Sequence, residues 1–370
     1  MFDALGEVLD VRFVERTSGD DSGIDAWILQ ETDPQLLLTN AHCKRPCYTV
    51  ICGSQFVPCG ESPNIEFSRH HALPSVIRGR QIEIDEAAGL RSLPHWLQNV
   101  TPLASKGGAP IWAVQEAEGH NRHFVSFPIP ELNDGEPLFQ YFYGGRFISL
   151  LPLLIFLRAL SDDRRWEQPP LQACFMFDDP NLHWRTYGYI DFAEITRHAQ
   201  LHNYHVSFAT IPLDAWFVHL PTAIFFRQHG KQLSLLIHGN DHVAKELALP
   251  YQDKERNNIL LQALRRIEKL ERRSGVEVSR VMAPPHGALN ESVLRAMSRL
   301  GFEAACITRW SLRHYNGQAS WLCTFGMRPA EMIAGLTVFP RFRLSRTCHN
   351  SILVAALLNQ PIIFIGHHKD

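Results

Sequence analysis

From about residue 170 to the C-terminus, short apolar runs alternate with longer stretches whose apolar positions recur every three or four residues. Residues 173–177 (ACFMF), 205–209 (HVSFA), 233–237 (LSLLI) and 278–282 (VSRVM) read as strands, and 189–203, 253–274 and 290–300 as helices between them. This alternation is the mark of a repeated βα unit. With about seven such strands it predicts a parallel (β/α)7-type barrel or a strongly curved sheet over residues 170–370, with its chemistry at the C-terminal strand ends.

Upstream, residues 25–29 (DAWIL) and 48–52 (YTVIC) are short apolar runs bounded by turn residues, and 36–46 (LLLTNAHCKRP) fits a connecting helix and loop. Residues 107–114 (GGAPIWAV) and 124–130 (FVSFPIP) read as further strands. Residues 1–165 are therefore expected to form a smaller open α/β domain of Rossmann or flavodoxin-like type. The polar segment 161–170, ending in two prolines, marks the boundary. The most apolar stretch, 147–157 (FISLLPLLIFL), is well short of the ~20 residues a membrane-spanning helix needs, so it reads as a buried helix despite Pro152.

Composition agrees with two ordinary globular domains: 370 residues, 45% hydrophobic and 20% charged. Lysine plus arginine number 36 against 38 acidic residues, with no long run of either sign, so neither nucleic acid nor a membrane is an expected partner. The N-terminal residues lack the apolar stretch of a secretory signal, the chain reads as cytoplasmic, and its eight cysteines read as mostly reduced thiols. Cys43, Cys47, Cys52 and Cys59 lie close together, but their spacing is not that of paired C-x2-C zinc knuckles. Thiols packed in and beside a strand are the expectation.

Chemistry concentrates at the strand ends of the second half. Phe177-Asp178-Asp179-Pro180-Asn181 puts adjacent carboxylates where a strand meets a loop, one able to hold a metal and the other to act as a general base. His238-Gly239-Asn240-Asp241-His242 places imidazoles four apart after another strand, a spacing suited to gripping one ion. Ala283-Pro284-Pro285-His286-Gly287 is a rigid turn whose backbone N–H groups can face an oxyanion. The last apolar run, 361–366, leads into His367 and His368, either of which can protonate a leaving amine. Residues 211–230 are rich in aromatics suited either to stacking on sugar or to a core.

In this order the four motifs resemble the polysaccharide deacetylase family, the NodB-homology or carbohydrate esterase family four fold, over residues 173–370. The resemblance implies Asp178 as catalytic base and Asp179, His238 and His242 as ligands of one divalent metal, zinc first and cobalt or nickel next. It implies an oxyanion-stabilising turn at Pro285, His286 and Gly287, a general acid at His367 or His368, and Trp310 among the substrate-binding residues. The implied activity is deacetylation of an N-acetylated sugar or related small-molecule amide. Met176 and Pro180 replace the family's threonine and glycine, and Ala283 stands where the family has the arginine that holds the catalytic aspartate. His286, His183 or Arg309 are the candidates to compensate. An impaired carbohydrate-binding or regulatory module on the same barrel, or a glycosidase on a related one, are the competing readings; the latter needs carboxylates about 5–9 Å apart.

Overall fold

The structure is a computed structural model that describes the chain apart from residues 17–21, 32–43, 53–57, 61, 85–89, 118, 134, 144–145, 162–171, 346–347 and 368–370. Two compact units emerge: Met1–Gln168 with His349–Leu357, and Pro169–Cys348 with Leu358–Asp370. The segment in which the boundary was expected, and most of the helix expected over 36–46, fall outside the described residues.

The first unit is built on an open sheet of β1 (Trp27–Glu31), β2 (Cys47–Ile51), β3 (Asn64–Phe67), β4 (Gln81–Glu83), β5 (Thr101–Lys106), β6 (Ala109–Ala117) and β7 (His120–Val125). Their order is β1-β2-β7-β6-β5-β3-β4. The sheet is mixed. Pairing is parallel across β1, β2 and β7 and antiparallel through β6, β5, β3 and β4, so a flavodoxin-like parallel arrangement is confined to one edge. The hairpin of β5 and β6 has a local cause: Gly107 and Gly108 both have positive φ, which a tight two-residue turn requires. The apolar stretch forms the helix Phe147–Ser161, with Pro152 inside it. Leu150, Leu151, Leu153 and Leu154 are fully buried, as expected where no polar face exists.

In the second unit, β8 (Ala173–Asp179), β11 (His205–Thr210), β12 (Leu233–Ile237), β13 (Val278–Met282), β14 (Ala304–Thr308), β16 (Leu336–Arg343) and β17 (Ile362–Gly366) pair in parallel and close on themselves. The short strands β9 (Thr186–Tyr187) and β10 (Ile190–Asp191) form a hairpin after β8, and β15 (Glu331–Ile333) runs antiparallel to β16. A closed parallel barrel is therefore present, as the alternation of runs predicts. Each barrel strand sends a side chain inward to one apolar cluster: Met176, Ala209, Leu236, Val281, Cys306, Phe339 and Ile363.

The helices around the barrel follow local signals. Phe192–His202 is capped by Asp191, whose carboxylate accepts from the amides of Ala193 and Glu194, and Glu291–Arg299 by Asn290. In Asp253–Ser274 the buried positions Leu260, Ala263, Ile267, Leu270 and Ser274 repeat at helical spacing. That helix stops at Gly275 in the left-handed conformation. No helix among the described residues is long and apolar enough to cross a membrane.

Candidate metal centre

The barrel register brings Asp179 and His238 to the same level at the ends of β8 and β12, the strands on either side of β11. Asp179 pairs with Thr210 on β11, Thr210 with Ile237 on β12, and the amide of His238 donates to the carbonyl of Thr210 at 2.9 Å. Alternation along β8 turns Met176 into the barrel and Asp178 with it. Asp179 would then face outward, but its φ of 83° swings the backbone out of the strand. His242 also has positive φ, at 58°.

Nε2 of His238 and Nε2 of His242 stand 3.3 and 3.2 Å from Oδ1 of Asp179. These separations are close to the ~3.4 Å between ligand atoms of a tetrahedral ion bound at about 2.1 Å. Oδ1 of Asp179 is buried and takes no hydrogen bond from the described residues. Nδ1 of His238 lies 2.7 Å from the carbonyl of Ala283, which can only accept, so the ring proton sits on Nδ1 and Nε2 presents a lone pair. The lone pairs of His238 Nε2 and Asp179 Oδ1 converge with no proton between them, which a cation would relieve. The residues present thus fit a divalent metal.

The charges agree with that reading. The imidazole of His238 against it holds the Asp179 carboxyl below the usual range, with the charges of His242 and His367 adding to the effect. Burial, and then the charge of His238, lowers the His242 imidazole, so it tends toward the neutral form that a metal requires.

The loop between the histidines is clamped from behind. Buried Glu246 accepts from the amides of Asn240 at 2.6 Å and Asp241 at 3.0 Å. Arg266, from the helix Asp253–Ser274, bonds to the side chains of Asn240 and Asp241. Gly239 has a φ of 66°, and a Cβ there would run into the Glu246 carboxylate and the Pro285 ring.

Asp178 is 3% exposed, and Nη1 of Arg341 donates to its Oδ1 at 2.7 Å. Arg341 is the residue that sequence reasoning missed. It lies far along the chain on β16, outside every recognisable motif, and only barrel closure carries it to Asp178. The proposed substitutes are engaged elsewhere. His183 binds the carbonyl of Asp214 through Nε2 at 2.7 Å. Arg309 donates to the carbonyl of Gly326 and to Gln360 Oε1. His286 is exposed, with its ring 4.8 Å from that of His242.

The remaining candidates lie at strand ends. Pro285 is buried in the turn after β13, and the amide of Gly287 donates to the carbonyl of Pro284 at 3.1 Å. Trp310 is 49% exposed at the start of the short helix Arg309–Tyr315, directly after β14. His367 follows β17, near enough for its charge to act on Asp179; His368 lies outside the described residues. The aromatic stretch 211–230 divides. Ala223 and Phe226 are core, while Trp216 and Phe217 are exposed in the loop after β11 and meet His183 edge-on.

A second cluster, His70, His71 and Glu116 in the first unit, also brings ligand atoms together. Its proton arrangement is opposite. Nδ1 of His70 accepts from the amide of Ala72 at 3.2 Å, which leaves the proton on Nε2, the atom facing Glu116. Among the described residues no cysteine joins a metal-ligating cluster; Cys43 lies outside them.

No family model and no curated protein matches the chain. Solved structures similar to it include a putative polysaccharide deacetylase from Mycobacterium smegmatis, at 14% identity over 55% of this chain and 78% of that one, TM-score 0.36. Another is a family 4 carbohydrate esterase from Streptomyces lividans in complex with acetate, at 10% identity over 53% and 79%, TM-score 0.30. A third is a CE4 family pseudoenzyme from Bacillus anthracis, at 10% identity over 54% and 65%, TM-score 0.29.

Proposed function

We propose that the second unit is a metal-dependent hydrolase of a non-peptide C–N bond, which removes acetyl from an N-acetylated sugar or related amide. The observation that carries this is the buried Oδ1 of Asp179, without a hydrogen bond among the described residues and facing two imidazole nitrogens, with the Asp178 carboxylate next to it in sequence.

Asp179, His238 and His242 would hold the ion, and two nitrogens with one carboxylate suit zinc, with cobalt and nickel as alternatives. The chemistry such an ion supplies when bound is Lewis acidity, which polarises a carbonyl and brings water toward deprotonation near neutral pH. Asp178 accepts the proton of the attacking water. In the turn at Pro285, His286 and Gly287 the backbone N–H of His286 is the donor for the oxygen that gains charge, since proline has none and the Gly287 amide donates to the carbonyl of Pro284. His367 returns a proton to the amine as the C–N bond breaks, so water and amide become acetate and amine. Trp310 and the exposed rings of Trp216 and Phe217 provide apolar faces against which a sugar ring can stack.

Purified protein is expected to contain close to one divalent ion per chain by elemental analysis, and a His238→Ala/His242→Ala variant to lose it while keeping its far-UV circular dichroism. Failure to bind zinc, cobalt or nickel after incubation would sink the hydrolase reading.

A further inference from the structure

Two departures from the family pattern meet inside the barrel. Met176 and Ala283 belong to the same interior cluster, with Cys306 of β14 between the strands that follow. β14 pairs with β13 on one side and β16 on the other, Met282 opposite Ala305 and Thr308 opposite Arg341. Positions 283 and 341 therefore approach the same end of the interior from the two neighbours of β14. Arg341 occupies that space: its Nη1 donates to Asp178 Oδ1 at 2.7 Å and lies 3.4 Å from Sδ of Met176. Both partners of the ion pair are buried, with side chains 1% and 4% exposed.

A carboxylate so enclosed needs a counter-charge and a fixed direction. A guanidinium reaching in from position 283 as well would set two cations against one carboxylate, whereas Ala283, fully buried, brings no charge. Methionine at position 176 offers Arg341 a soft, proton-free sulfur to lie against.

We propose that Met176, Ala283 and Arg341 are one exchange, in which Arg341 is the positioning residue that aims Asp178 in place of an arginine at position 283. The inference rests on Asp178 being the base.

Metal-loaded Arg341→Met is expected to lose ~10–100-fold in kcat, the usual loss when a supporting partner is removed, with KM within about twofold and the ion retained. Arg341→Lys, which keeps the charge, is expected to fall between it and the parent. Adding Ala283→Arg to Arg341→Met is expected to recover ~10-fold or more, whereas Ala283→Arg alone impairs the protein, an interaction that a double-mutant cycle isolates. Unchanged kcat in Arg341→Met would overturn the proposal, as would equal loss of kcat and metal in both the Met and Lys variants. If the parent hydrolyses no amide, the function proposed above falls and crystal structures decide this point. An Asp178 carboxylate displaced in Arg341→Met and restored by Ala283→Arg supports the exchange; one that stays in place refutes it.

Discussion

At the barrel mouth Asp179, His242 and His286 adopt φ of 83°, 58° and 54°, values that favour glycine and cost about 1–3 kcal/mol each elsewhere. They persist because the surroundings over-determine them, and Glu246 is the clearest part of that support. Glu246→Ala leaves the buried amide of Asn240 and the half-buried amide of Asp241 without their acceptor, at about 1–3 kcal/mol. Metal affinity should fall ~10–100-fold in the same variant by competition with a chelator. Unchanged affinity would assign the hold on the loop to Arg266 alone.

The pairing of β6 and β7 places Trp112 beside His123, and the indole Nε1 donates to His123 Nδ1 at 3.1 Å. Only a neutral ring can accept it. Burial, with the charge of His70 second, lowers His123 from 6.5 to about 4. Between these values the unfolded chain binds a proton that the folded one does not. The contribution is therefore full above pH 6.5 and is lost as pH falls toward 4, by about 3 kcal/mol. His123→Gln, which keeps an acceptor without titrating, should flatten this part of the melting temperature profile between pH 7 and 4. A variant profile as steep as the parent's would place the acid sensitivity elsewhere.

Both strands that present the proposed ligands, β8 and β12, belong to the second unit. An ion that binds only the folded barrel stabilises it by about 2.7 kcal/mol when free metal is 100 times Kd. Zinc should therefore slow hydrogen exchange in β8, β12 and β13, with β5, β6 and β7 of the first unit unaffected. Chelator should reverse the effect, and His238→Ala/His242→Ala should not show it. Equal protection of both units would mean that the ion acts elsewhere.

Much of this was legible in the chain because its causes are local. The strand before Asp178 and Asp179, the strand before His238, the all-round apolar helix Phe147–Ser161 and the amphipathic Asp253–Ser274 each declare themselves within a window of about one element. Gly107 and Gly108, read with the strand that follows them, instead form the turn of a hairpin, and strand direction across the rest of that sheet depends on pairings between distant segments. Motif order was enough to pick out Asp179, His238 and His242, since each lies within a few residues of a recognisable strand end. Arg341 was not legible. Nothing near it distinguishes it from the other arginines, and its meeting with Asp178 depends on β16 closing the ring through β14 and β17. Local patterning thus chose the elements and the loops that carry Asp179, His238 and His242, while the counter-charge of the buried Asp178 was decided by tertiary closure, because a contact across a barrel interior leaves no periodic trace in the sequence.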